Sequence, residues 1–166
     1  MKKAACIPCL LTLAGVLAGV LVGTLVGAVP AAAGDLAFGP RLGYTGSGSL
    51  DQFHVGAHVE AAHLGTNLTV LPSLEIGSGD GTLIALNGDL LYDATELATG
   101  KWGFYGGGGP VLTRYDGEGA DHTDFALSLV AGLTWDIRND RHLFGELRLG
   151  LEDAPDIKLT AGLTFR

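Results

Sequence analysis

Apolar and polar residues alternate with a period of two over most of residues 36–165, the signature of strands rather than helices. The last stretch shows it most plainly: Leu159, Ala161, Leu163 and Phe165 share one parity, and Lys158, Thr160, Gly162, Thr164 and Arg166 the other. Seven earlier segments repeat the pattern between turn-forming residues. The first sets Leu36, Phe38, Pro40, Leu42 and Tyr44 against Ala37, Gly39, Arg41 and Gly43. The second sets Phe53, Val55, Ala57, Val59 and Ala61 against His54, Gly56, His58 and Glu60. The third opposes Leu68, Val70, Pro72, Leu74 and Ile76 to Thr69, Ser73 and Glu75, and in the fourth Ile84, Leu86, Leu90 and Tyr92 face away from Asn87 and Asp89. The sixth runs Phe125, Leu127, Leu129, Ala131, Leu133, Trp135 and Ile137 against Ala126, Ser128, Gly132, Thr134 and Asp136. The seventh places Leu143, Leu147, Leu149 and Leu151 opposite Phe144, Glu146 and Arg148. The fifth begins with Trp102 and Phe104 on the apolar parity, but Gly106 to Gly109 and Pro110 interrupt it, and a bulge is expected there.

Alternation alone fits two opposite solutions: a soluble sheet with its apolar face inward, or a membrane barrel with that face outward. The aromatic positions separate them. If the first strand runs upward and neighbours alternate in direction, Phe38, Tyr92, Trp102, Trp135 and Phe165 fall near the lower rim, and Tyr44, Phe53 and Phe125 near the upper one. All eight lie on the apolar parity. A soluble core has no reason to sort its aromatics to both strand ends, whereas a wall facing lipid carries two aromatic girdles. Strands of about 9 to 13 residues also suit a tilted crossing of a hydrocarbon layer. The expected fold is therefore all-β, an eight-stranded antiparallel up-and-down transmembrane barrel.

Composition adds a leader and removes several functions. Lys2 and Lys3 precede an uncharged run from Ala4 to Val29, then Pro30 and Ala31-Ala32-Ala33, which reads as a signal peptide over residues 1–33 and a barrel domain over residues 34–166. Gly15, Gly19, Gly23 and Gly27 recur every fourth residue, as on the packed face of a membrane helix, but no positive cluster follows the run to hold it there. Cys6 and Cys9 both lie in the leader, so the mature barrel is expected to hold no internal disulfide. Beyond residue 33 eight basic side chains face 18 acidic ones, which argues against a nucleic-acid partner.

The closing run Thr160-Ala161-Gly162-Leu163-Thr164-Phe165 resembles the C-terminal assembly signal of bacterial outer-membrane β-barrels. It departs from that signal in carrying Leu163 where a second aromatic often stands and Arg166 after the aromatic. The eight-segment pattern as a whole resembles the small outer-membrane barrel family of the OmpA-type transmembrane domain and OmpX kind. That resemblance implies a Gram-negative outer-membrane location, recognition of the last strand by the barrel-assembly machinery, contact with outer-membrane lipid and lipopolysaccharide, and a role in envelope integrity or surface contact.

The inward parity carries Arg41, Glu60, Glu75, Asp89, Asp136, Glu146, Arg148 and Lys158, with His54, His58 and Asn87. Eight strands enclose room only for their own side chains, so these groups are expected to form a plug of paired charges. His54 and His58 are about 13 Å apart along a strand, too far to chelate one ion, and no metal or other cofactor is expected. Lipid A deacylases on such barrels carry a His-x-Ser pair; none occurs here, and no catalytic residue is assigned. The upper loops hold Asp51, Asp80, Asp116, Glu118, Asp121, Asp124, Glu152, Asp153 and Asp156, carboxylates that suit divalent cations shared with lipopolysaccharide phosphates. Two other readings remain: a soluble periplasmic barrel binding an apolar ligand as lipocalins do, and a lipid A-modifying enzyme.

Overall fold

A computed structural model describes residues 36–47, 50–79, 81–94, 97, 100–117, 120–138, 140–151 and 157–166. The leader expected over residues 1–33, and the acids Asp80, Glu118, Glu152, Asp153 and Asp156, lie outside the described residues.

The strands are β1 (Ala37–Ser47), β2 (Leu50–Glu60), β3 (Ala62–His63), β4 (Leu68–Gly79), β5 (Gly81–Asp93), β6 (Trp102–Gly117), β7 (Ala120–Arg138), β8 (Arg141–Leu151) and β9 (Ile157–Phe165). Sequence neighbours pair antiparallel except β2 and β3, which both pair with β4, and β1 pairs with β9, with Phe38 opposite Phe165 and Tyr44 opposite Leu159. The sheet thereby closes on itself, and no edge is left along the wall. β3 is the end of the second strand, so the barrel has eight staves. Ala57 pairs with Leu74 but Ala62 with Val70, a one-residue slip at Ala61. A single extra residue reverses the parity that follows it, and His63 accordingly faces inward, its Nδ1 3.0 Å from Thr69 Oγ1.

The expected bulge at Gly106 to Gly109 is absent. β6 and β7 keep one register from Trp102–Trp135 to Gly117–Ala120, and Tyr105, Val111 and Thr113 point in while Phe104 and Leu112 point out. Glycine here serves close approach: a Cβ on Gly107 would run into the Leu90 carbonyl of β5. β6 and β7 are also longer than expected, at 16 and 19 residues, and rise as a hairpin beyond their neighbours.

The wall is apolar outside and polar inside. Arg41, Glu75, Asp89, Arg148 and Lys158 are buried, whereas Leu42, Phe53, Val55, Phe125, Leu129, Leu147 and Leu159 are exposed. A water-soluble barrel would show the reverse.

Candidate functional site

The lumen is filled from named strands. Arg41 on β1 reaches past β9 to donate to Glu146 on β8, and its Nε lies 3.1 Å from Glu75 Oε1 on β4. Lys158 on β9 donates to the other oxygen of Glu75. Arg148 on β8 holds Asp89 on β5 bidentately, with Nη1 to Oδ1 at 2.9 Å and Nη2 to Oδ2 at 2.6 Å, and Nη1 also donates to Ser128 Oγ at 2.7 Å. Three cations thus meet three carboxylates. A planar guanidinium matched to a carboxylate keeps such a buried pair from becoming two uncompensated charges.

Neutral groups fill the spaces between. His54 lies between hydroxyls, 3.2 Å from Thr45 and 3.1 Å from Thr160, and His58 Nε2 is 2.9 Å from Thr164. The two imidazoles are engaged separately along β2, as their spacing implied. Among the described residues no group of His, Cys, Asp or Glu has the geometry to hold a metal ion. Asn87 donates to Ser73 at 3.0 Å.

Two aromatics lie flat against bare backbone. The Tyr105 ring covers the position a Cβ of Gly132 would take, and Phe144 does the same at Gly162, each from the facing residue of the neighbouring strand. Tyr105 then donates to Glu146 at 3.0 Å, and the Arg41 guanidinium stands 5.5 Å from the Phe144 ring centroid. Tyr105 joins Leu71, Leu91 and Val130 in an apolar cluster inside the barrel. Sequence reasoning passed over these apolar residues; their parity was the available signal, since each lies on the polar side of its strand.

Below this layer the lumen opens into a cavity of about 230 Å³ at the lower mouth. Its walls include Leu71, Leu91, Phe144, Glu60, Asp93 and His142. Glu60 therefore belongs to the mouth rather than to the central network, with Oε1 3.4 Å from His142 and Oε2 3.6 Å from Arg166. Asp136 departs further from expectation. It lines the cavity but is exposed at the rim, where the β7–β8 register shifts between Asp136 and Arg138, and it makes no ion pair among the described residues. The partners of Arg41 stand on β4 and β8, each one stave beyond the neighbours of β1.

Seven of the eight aromatics predicted for the two rims lie near strand ends on the outward parity, several in cross-strand contact, whereas Phe125 faces outward from within the long β7. Trp102 stacks on Trp135 at 5.1 Å between centroids, Phe38 and Phe165 are 6.2 Å apart, and Tyr44 and Phe53 are 5.4 Å apart edge to face. Phe125 pairs with Leu112, and Tyr92 with Leu68.

Fold and wall together define a closed eight-stranded barrel of the transmembrane type, turned apolar side out. Solved structures of that class are similar to it. The N-terminal β-barrel domain of Pseudomonas aeruginosa OprF superposes with a TM-score of 0.58 at 12% identity, over 78% of this chain and 96% of that one. Neisserial surface protein A gives 0.57 at 14% identity, over 78% and 94%, and a de novo designed transmembrane β-barrel gives 0.53 at 13%, over 78% and 92%. No protein-family model matches the chain, and no curated protein matches it in sequence. Even a designed barrel shares the architecture, so the likeness is one of fold.

Proposed function

We propose that this protein resides in a bacterial outer membrane as a non-enzymatic barrel with a structural or surface-contact role and a lumen plugged by ion pairs. The observation that carries the reading is the inversion of the wall: buried arginines and carboxylates inside, and leucines, phenylalanines and tryptophans exposed outside. Hydrocarbon is the solvent that stabilises such a surface, and a closed ladder satisfies every backbone group within it. The aromatic residues at both strand ends would then sit at headgroup level, and the last strand would present itself to the barrel-assembly machinery. The lipocalin-like alternative loses its support, because charges occupy the volume where an apolar ligand would lie. Heat-modifiable gel migration of detergent-extracted protein is the test. Folded material is expected to run apart from boiled material, and recovery in a detergent-free periplasmic extract overturns the assignment.

The upper rim supports a narrower reading within the same function. Asp51, Asp116 and Asp121 are exposed there, and carboxylates of this kind bridge to lipopolysaccharide phosphates through calcium or magnesium. Chelation is expected to lower the unfolding temperature of the barrel in lipopolysaccharide; an unchanged transition withdraws this partner. An unchanged lipid A mass profile on expression is the outcome expected of a barrel without catalysis.

A further inference from the structure

The lower-mouth cavity is more than a frayed end. Glu60 is 92% buried, its Oε2 has no hydrogen-bond partner among the described residues, and the only described cation near that oxygen is Arg166, at 3.6 Å with its side chain half exposed. His58, buried to 98%, likewise leaves Nδ1 without a partner there and lines the same space. Asp93 and Asp136 stand around the opening, and neither makes an ion pair among the described residues. The inner end sets Leu71, Leu91 and the ring of Phe144 beside Arg41, which pairs with Glu75 and Glu146 and keeps Nη1 without a hydrogen-bond partner among the described residues. Three carboxylates thus share the mouth with one exposed guanidinium and the His142 imidazole, and Leu71, Leu91 and Phe144 lie behind them. A buried carboxylate oxygen that has a distant charge but no hydrogen bond is expensive to leave unsatisfied, which favours a donor arriving from outside.

We propose that this cavity is a binding site for a small organic cation: an ammonium or guanidinium head held by Glu60 and Asp93, with a short apolar body against Leu71, Leu91 and Phe144. At about 230 Å³ the space falls below that of drug-sized sites and suits a single ring or a short alkyl chain. A free His58 Nδ1 supplies a second polar contact for an N–H or hydroxyl on that body. The site needs only the folded lumen, so it goes beyond the structural role proposed above and does not depend on it.

The folded barrel in detergent is titrated with benzylammonium, benzyl alcohol and benzoate, followed by calorimetry and by saturation transfer to the ring protons. Benzylammonium is expected to saturate a single site, with benzyl alcohol at least about tenfold weaker and benzoate showing no binding. Glu60→Gln is expected to weaken benzylammonium at least about tenfold while heat-modifiable migration reports an intact fold. Should that variant fail to fold, Asp93→Asn at the half-buried rim carries the same expectation, and Asp124→Asn on the upper hairpin is expected to bind as the parent does. Equal uptake of all three probes, absence of saturation by about 50 mM benzylammonium, or parent-like affinity in the acidic-mouth variants overturns the proposal. None of these results alters the gel migration or fractionation on which the membrane assignment rests.

Discussion

The middle of the lumen and its lower mouth are built from the same residue types and solve opposite problems. In the middle, Arg41, Arg148 and Lys158 are matched one for one by Glu75, Asp89 and Glu146, and Ser128 and Tyr105 add further contacts. At the mouth, Glu60, Asp93 and Asp136 share Arg166 and the His142 imidazole among the described residues, and Asp136 is exposed at the rim. A carboxylate sealed between strands must be paired by the fold itself. One at an opening can wait for solvent or a ligand. The lumen is therefore closed by its centre and left chemically unsaturated at one end.

The sharpest way to break this contrast is to remove one partner from each region. Asp89→Ala strands Arg148 in the sealed middle and is expected to cost about 3–5 kcal/mol in urea unfolding of the detergent-folded barrel. Replacing both partners by leucine is expected to recover most of that loss. A single-variant effect no larger than that of a mouth substitution would show the middle to be wet. One step along β8 or β7 the rule inverts: Leu129→Arg, on the outward face opposite Leu149, is expected to cost about 2–4 kcal/mol in lipid, although Arg148 is at home one residue away from that partner. At the boundary between the two regions, Gly132→Val drives a branched side chain into the Tyr105 ring, with an expected loss of about 1–3 kcal/mol. A double-mutant cycle on Trp102 and Trp135, at the lower rim, is expected to give a coupling of about 1 kcal/mol from their stacking. Smallest of all, Asp136→Asn is expected to stay within about 0.5 kcal/mol of the parent, since its carboxylate stands exposed at the rim.

The inward or outward direction of most side chains was legible from parity, because a strand offers only two faces and the chain keeps them chemically distinct. The aromatic positions likewise oriented the staves, and the closed eight-stranded barrel follows from both. Parity carries no further where one residue slips, after Ala61 and after Asp136, since a bulge leaves no compositional mark there. It also over-read the glycine run, whose residues hold register while letting β5 come close. The partners of Arg41 were out of reach for a different reason. Glu75 and Glu146 stand on strands that do not pair with β1, and which rungs come level there depends on the stagger of the barrel, a quantity no local pattern encodes. The cavity was hidden for the same reason, because it is bounded by residues from nearly every stave.

The seam between β1 and β9 makes completion of the wall an all-or-none event. Phe38 cannot find Phe165 until every intervening hairpin has been laid down, so any intermediate exposes two raw borders and an unroofed set of charges. Such a half-built cylinder would be vulnerable to proteases and to promiscuous strand exchange, and its survival in the cell would hinge on an escort that shields both borders until the final zipper shuts.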